Sequence, residues 1–131
     1  KSDVFPYYGM DMEVLKLVEK YGMQNRTIIS SFDHETLKRI SEVAPYIETA
    51  PLFSNIVVEP WTYAEKIGAE AIHISGYFMM RQSAISALKQ GAKIRVYTIN
   101  DVEHMELLWN AKVLGFFTDE VEKAVEWRKK K

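Results

Sequence analysis

The chain has 131 residues, 47% of them hydrophobic, with a formal net charge of −1 and no cysteine. That balance fits one soluble globular domain, excludes a disordered chain, and gives no electrostatic footprint for nucleic acid. Disulfide and thiolate chemistry are excluded, and no apolar run approaches the roughly 20 residues of a membrane span.

The first predicted helix runs from Met10 to Tyr21, with Val14, Leu15, Leu17, Val18 and Tyr21 on one face and Gly22 where a left-handed C-cap belongs. Thr27 to Phe32 reads as a strand. His34 to Val43 follows as a helix with Leu37, Ile40 and Val43 on one side, and Pro45 stops it. Tyr46 to Phe53 reads as a strand made short or irregular by Pro51. A brief helix over Trp61 to Ile67 ends at Gly68. Strand Ala71 to Ser75 leads into an irregular stretch, Gly76 to Met80, and then a helix from Gln82 to Gln90 that stops at Gly91. Strand Ile94 to Ile99 precedes helix Val102 to Asn110, with Val102, Met105, Leu108 and Trp109 facing inward. Val113 to Thr118 is the last strand, and a helix from Glu120 to Lys129 closes the chain. The basic run Arg128 to Lys131 reads as a solvated helix end.

Strict strand–helix alternation argues for parallel strands joined by crossovers. The nearly continuous apolar runs TIISSF, IRVYTI and LGFFT fit strands covered on both faces. No glycine-rich phosphate loop follows any strand, which disfavours a dinucleotide fold and favours a barrel-type sheet. A complete eight-stranded barrel needs more than about 200 residues. Five candidate strands in this length make about half of one.

Three strand-to-helix junctions share one pattern, around Phe32, Asn100 and Thr118. In a parallel barrel such junctions converge on one mouth. They would bring there the hydroxyls of Ser31, Thr98 and Thr118, the rings of Phe32 and Tyr97, and the amide of Asn100. Asp33, Asn100 or Asp101, and Asp119 read as helix N-caps, and NDVE and DEVE carry capping-box spacing. Capping alone accounts for much of the pattern, so the residues outline a ligand-facing rim and no catalytic site. The three histidines show no metal-ligand spacing. His34 and His104 read as surface residues in first helical turns. His73 alternates with Ile72 and Ile74 and can face the barrel interior. Ser30 and Ser31 lack a nucleophile-elbow context, and Tyr7, Tyr8, Tyr77 and Phe78 read as packing.

RTIISSFDHETLKRISEVAP and GAKIRVYTINDVEHMELLWNAKVLGFFTDE resemble the C-terminal half of the glycerophosphodiester phosphodiesterases, from about Val4 to Glu120. The Ser-Phe-Asp after one strand, the aromatic-Thr-x-Asn after another and the final Thr-Asp carry the resemblance together. It implies an α/β fold of the (β/α)8 TIM-barrel type, with residues 1–131 as its C-terminal half, starting just after the fourth strand. It also implies metal-assisted hydrolysis of glycerophosphodiesters to an alcohol and glycerol 3-phosphate. The family's His-Arg-Gly, Glu-x-Asp and His-Asp motifs are absent from this sequence. The resemblance therefore places the catalytic residues, and the ligands of a divalent metal (Ca or Mg), outside these residues. What it carries over is a substrate-binding set: Ser31, Phe32, Tyr97 and Asn100. Relatives usually have Trp where Tyr97 stands.

The expected partners are a glycerophosphodiester and either the missing N-terminal half or a second copy of the chain. The rival readings are a non-catalytic pseudo-enzyme or half-barrel assembly module, and an unrelated small α/β binding domain. The chain begins at Lys1, which reads as a trimmed or cleaved start. Compartment stays open, with the cytoplasm as the leaning.

Overall fold

The computed structural model describes residues 7–131; the first residues of the resemblance, 4–6, lie outside them. Helix α1 (Met10–Lys20) and a single 3-10 turn (Gln24–Arg26) lead to β1 (Ile28–Ser31), α2 (His34–Val43) and β2 (Glu48–Phe53). Then come α3 (Pro60–Lys66), β3 (Ile72–Ser75), α4 (Gly76–Met79), α5 (Gln82–Lys89), β4 (Ile94–Tyr97), α6 (Val102–Asn110), β5 (Gly115–Phe116) and α7 (Val121–Arg128).

All five strands lie in one parallel sheet in the order β1-β2-β3-β4-β5. A doubly wound sheet reverses its strand order partway; this one never does, which is barrel topology. The expected start after a fourth strand does not survive the count. Five strands of an eight-stranded barrel leave three others, not four.

Alternation along the strands sorts side chains to two faces. Ile72, Ile74, Ile94 and Val96 point to the helices and are buried with Ala84, Ala87, Met105, Leu108 and Trp127. A separate cluster of Leu15, Ile40, Ala44 and Ile47, backed by Ile29, joins α1 and α2 to the sheet at the β1 end. Burying each such isoleucine or leucine contributes about 1.5–3 kcal/mol. Arg39 reinforces this end by donating from Nε and Nη2 to the buried carboxylate of Asp11, at 3.1 and 3.0 Å.

Several expectations are corrected. Residues 76–79 form a helical turn because the Ser75 hydroxyl accepts the Phe78 N–H at 3.2 Å; that turn drives Phe78 and Met79 into the core. Val43 is 57% exposed, Val102 43% and Trp109 51%, so none faces inward fully. Trp109 instead stands edge-on to Trp127, with ring centroids 5.9 Å apart. β5 is regular for only two residues, Gly115 and Phe116, paired with β4. The pairing nevertheless continues irregularly, with Phe117 N–H donating to the Val96 carbonyl at 2.8 Å. Asp33 caps α2 as expected, accepting from Thr36 N–H at 3.1 Å. Helix α6 is capped at Asp101 and α7 at Glu120, neither through a side-chain bond. Of the expected alternatives Asn100 or Asp101, Asp101 stands at the N-cap position, whereas Asp119 lies one residue before its helix's N-cap, and neither capping box forms among the described residues.

Gly68 ends α3 with φ of 73°. A Cβ built there would lie 2.7 Å from Ser41 Oγ, which is held by its own bond to the Ile67 carbonyl at 2.8 Å. Gly68→Ala is expected to destabilise the fold by about 1–3 kcal/mol, read as a lowered urea midpoint with unchanged slope.

Candidate functional site

The strand C-termini share one end of the sheet, and the aromatic residues of the sequence pattern meet there. Phe32, just past β1, stands edge-on to Tyr97, the last residue of β4, with centroids 6.4 Å apart. The Tyr97 hydroxyl donates to the carbonyl of Phe53 at 2.6 Å. Burial pushes that phenol above its ordinary pKa, so it stays a hydrogen-bond donor.

Ser31 and Asn100 are placed differently. The Ser31 hydroxyl accepts the Asp33 N–H at 3.0 Å, closing the turn into α2. The Asn100 side chain ties β4 to the start of α7. Its Oδ1 accepts from Thr118 Oγ1 and from Asp119 N–H, both at 3.0 Å. Its Nδ2 donates to Asp119 Oδ2 at 3.1 Å. Lys123 adds a bond to the Asn100 carbonyl at 3.2 Å. The structure thus brings Phe32 and Tyr97 together, while Ser31 and Asn100 hold the turns on either side.

His34 is not the surface residue that its position in a first turn implies. It is half-buried, in contact with the rings of Phe53 and Tyr63 at 5.1 and 5.4 Å. Its Nε2 lies 2.9 Å from the Leu52 carbonyl and its Nδ1 3.0 Å from the Tyr63 hydroxyl. His104 is exposed, as expected.

The inner face of the sheet carries a second polar group that sequence reasoning grasped only in part. His73 is 1% exposed and packs edge-on to Phe117 at 5.0 Å. An Arg95 N–H points at its Nε2 from 3.4 Å, which leaves the ring proton on Nδ1, shared with Ser30 Oγ at 2.8 Å. Arg95 in turn is paired with Glu48 at 2.6 Å. The signal was present in the sequence: Arg95 interrupts an apolar run as His73 does, and the register places the two side by side. Burial first, and the Arg95 charge second, depress the His73 pKa to about 4.

Among the described residues, no three His, Asp or Glu side chains converge to hold a metal ion. A groove of about 820 Å³ runs along the free edge of β1, lined by Tyr8, Met10, Asp11, Ser31, Arg39 and Val43 among others. It takes in Ser31 and Asp33 from the β1 end of the rim and excludes Phe32, Tyr97 and His34.

The sequence model of the glycerophosphoryl diester phosphodiesterase family matches residues 2–123. A protein of Caldanaerobacter subterraneus named glycerophosphodiester phosphodiesterase is 30% identical over 122 residues, covering 93% of this chain and 50% of the relative. The crystal structure of glycerophosphodiester phosphodiesterase from Thermotoga maritima superposes with a TM-score of 0.69 at 25% identity, over 88% of this chain and 51% of that one. An Oleispira antarctica phosphodiesterase solved with the product sn-glycerol-3-phosphate superposes at 0.76 with 22% identity, over 95% and 52% of the two chains. The chain spans about half the length of the curated relatives it matches. Among the described residues, no helix is long and apolar enough to cross a membrane.

The buried histidine has a measurable consequence. Its pKa is about 4 in the folded chain and about 6.5 when unfolded. Between those values the unfolded chain binds the extra proton. The contribution is complete above pH 6.5 and falls by about 3 kcal/mol as pH drops to 4. Urea unfolding at stepped pH should show this loss, and His73→Gln should remove most of the slope between pH 6.5 and 5.

Proposed function

The chain belongs to the glycerophosphoryl diester phosphodiesterase family, and on that premise we propose that it is the C-terminal, substrate-lining part of a (β/α)8 phosphodiesterase barrel. In this reading residues 1–131 form one structural unit. The barrel they help to build hydrolyses glycerophosphodiesters to an alcohol and glycerol 3-phosphate. The observation that carries the reading is the meeting of Phe32 and Tyr97 at the common C-terminal end of five parallel strands, the end where barrel enzymes place their chemistry.

Phe32 and Tyr97 are the apolar wall against which the glycerol or alcohol carbons lie. Ser31 and Asn100 complete the substrate side of the rim by fixing the two turns that carry it. The divalent metal, Ca or Mg, would supply positive charge at the phosphate. The described residues form no ligand set for it, and no step of its chemistry is assigned to them. Its ligands and the general acid and base belong to the strands that complete the barrel.

Purified alone with added Ca²⁺ or Mg²⁺, the chain is expected to release no glycerol 3-phosphate from glycerophosphodiesters. Turnover by the isolated chain overturns the division of labour. When the complementary strands are supplied, Phe32→Ala and Tyr97→Ala should each lower kcat/KM, by on the order of 100-fold where the wall shifts by about 1 Å.

Association is the companion prediction. Among the described residues β1 and β5 each pair on one side only, and Ile28, Leu114 and Phe117 are exposed beside them. Open edges flanked by apolar surface invite pairing. Light scattering on the isolated chain should therefore show association. A clean monomer at high concentration with one cooperative unfolding transition overturns the half-barrel reading.

A further inference from the structure

His34 sits one turn from the proposed substrate wall without belonging to it, and its contacts define what it does. The Leu52 carbonyl can only accept a hydrogen bond, so the ring nitrogen 2.9 Å from it, Nε2, must carry a proton. In the neutral ring Nδ1 is then an acceptor, and the Tyr63 hydroxyl 3.0 Å away is its donor. The imidazole is also enclosed by rings, with Phe53 at 5.1 Å and Tyr63 at 5.4 Å, themselves 5.9 Å apart.

These bonds close a circuit around the mouth. His34 grips the carbonyl of Leu52; the next carbonyl, that of Phe53, accepts from Tyr97 at 2.6 Å; Tyr97 stands against Phe32; and Phe32 lies two residues before His34. The end of β2 is thus clasped from the start of α2 on one side and from β4 on the other. The two carbonyls belong to the peptide planes on either side of Phe53, so releasing the Leu52 carbonyl frees one plane to rotate and shifts Phe53, which carries the other.

We propose that His34 is a positioning residue: through the Leu52 and Phe53 carbonyls it sets the placement of Tyr97 against Phe32, and so the geometry of the wall. This deepens the enzymatic reading and rests on it for its functional meaning, while the clasp itself is a property of the chain.

Solution NMR on the chain with isotope-labelled histidine ring nitrogens tests it. The wild type is expected to carry the His34 ring proton on Nε2. In His34→Ala the ring-to-ring cross-peak between Phe32 and Tyr97 should be lost, while the His73–Phe117 contact, 5.0 Å apart in the core, persists. His34→Gln, whose amide offers an N–H donor and a carbonyl acceptor, should restore the Phe32–Tyr97 cross-peak. A proton on Nδ1 in the wild type overturns the proposal, as does an unchanged Phe32–Tyr97 contact in His34→Ala. Should His34→Ala fail to fold, Tyr63→Phe removes only the hydroxyl that orients the ring. It is expected to weaken the same cross-peak, and an unaltered one overturns the proposal equally. Turnover by the completed barrel is a separate readout. If it is nil for the wild type while the clasp signatures hold, the enzymatic reading fails and the clasp stands.

Discussion

Parallel pairing in sequence order is the constraint on which everything else here depends. A strand can pair in parallel with its successor only if the chain returns through a crossover of a dozen or more residues. Each return is made by helical segments, and the strand order never reverses. The five strand ends are therefore delivered to one side with no further instruction. Phe32 and Tyr97 lie more than sixty residues apart in the numbering and meet because their strands point the same way. The same constraint forces alternate side chains onto an inner face where His73, Arg95 and Glu48 find one another.

The two ends of that inner face differ in chemistry. Glu48 opens β2, and His73 and Arg95 are second in their strands, so the ionic group sits toward the strand starts. The aromatic residues sit at the strand ends. A half-buried ion pair beside a buried histidine is costly to desolvate and is retained only when its hydrogen bonds are made. Here Ser30, His73, Arg95 and Glu48 supply partners to one another. The Phe32–Tyr97 pair lies at the other end, apart from this ionic group.

Much of the fold was legible because it rests on local patterns. The apolar runs marked β1 and β4, glycine and proline marked helix ends, and α2 and α6 begin and end where periodicity placed them. The helical turn at 76–79 was missed because its signal is a single capping serine rather than a period. That Phe32 and Tyr97 share one end of the sheet was legible from the strand–helix junctions. His34 was not, because its partners Leu52 and Tyr63 come from 18 and 29 residues further along, and nothing apolar flanks it in sequence. Asn100 was legible as important but not as a brace. An amide at a strand end suits a ligand or a turn equally until Thr118 and Asp119 are placed beside it.

The apolar interior is divided. One cluster unites β3, β4 and β5 with the helices behind them, and a smaller one holds α1, α2 and the start of β2. Regions with fewer shared buried contacts open at lower free energy than the rest of a domain. Amides around Leu15 and Ile40 should trade hydrogen with solvent well before those of Ile74 and Val96. The softer of the two regions is the one that carries the unpaired edge of β1. In the proposed barrel a strand joining there would meet a border that can loosen and re-form, so closure would resemble the last stage of folding more than the docking of two finished bodies.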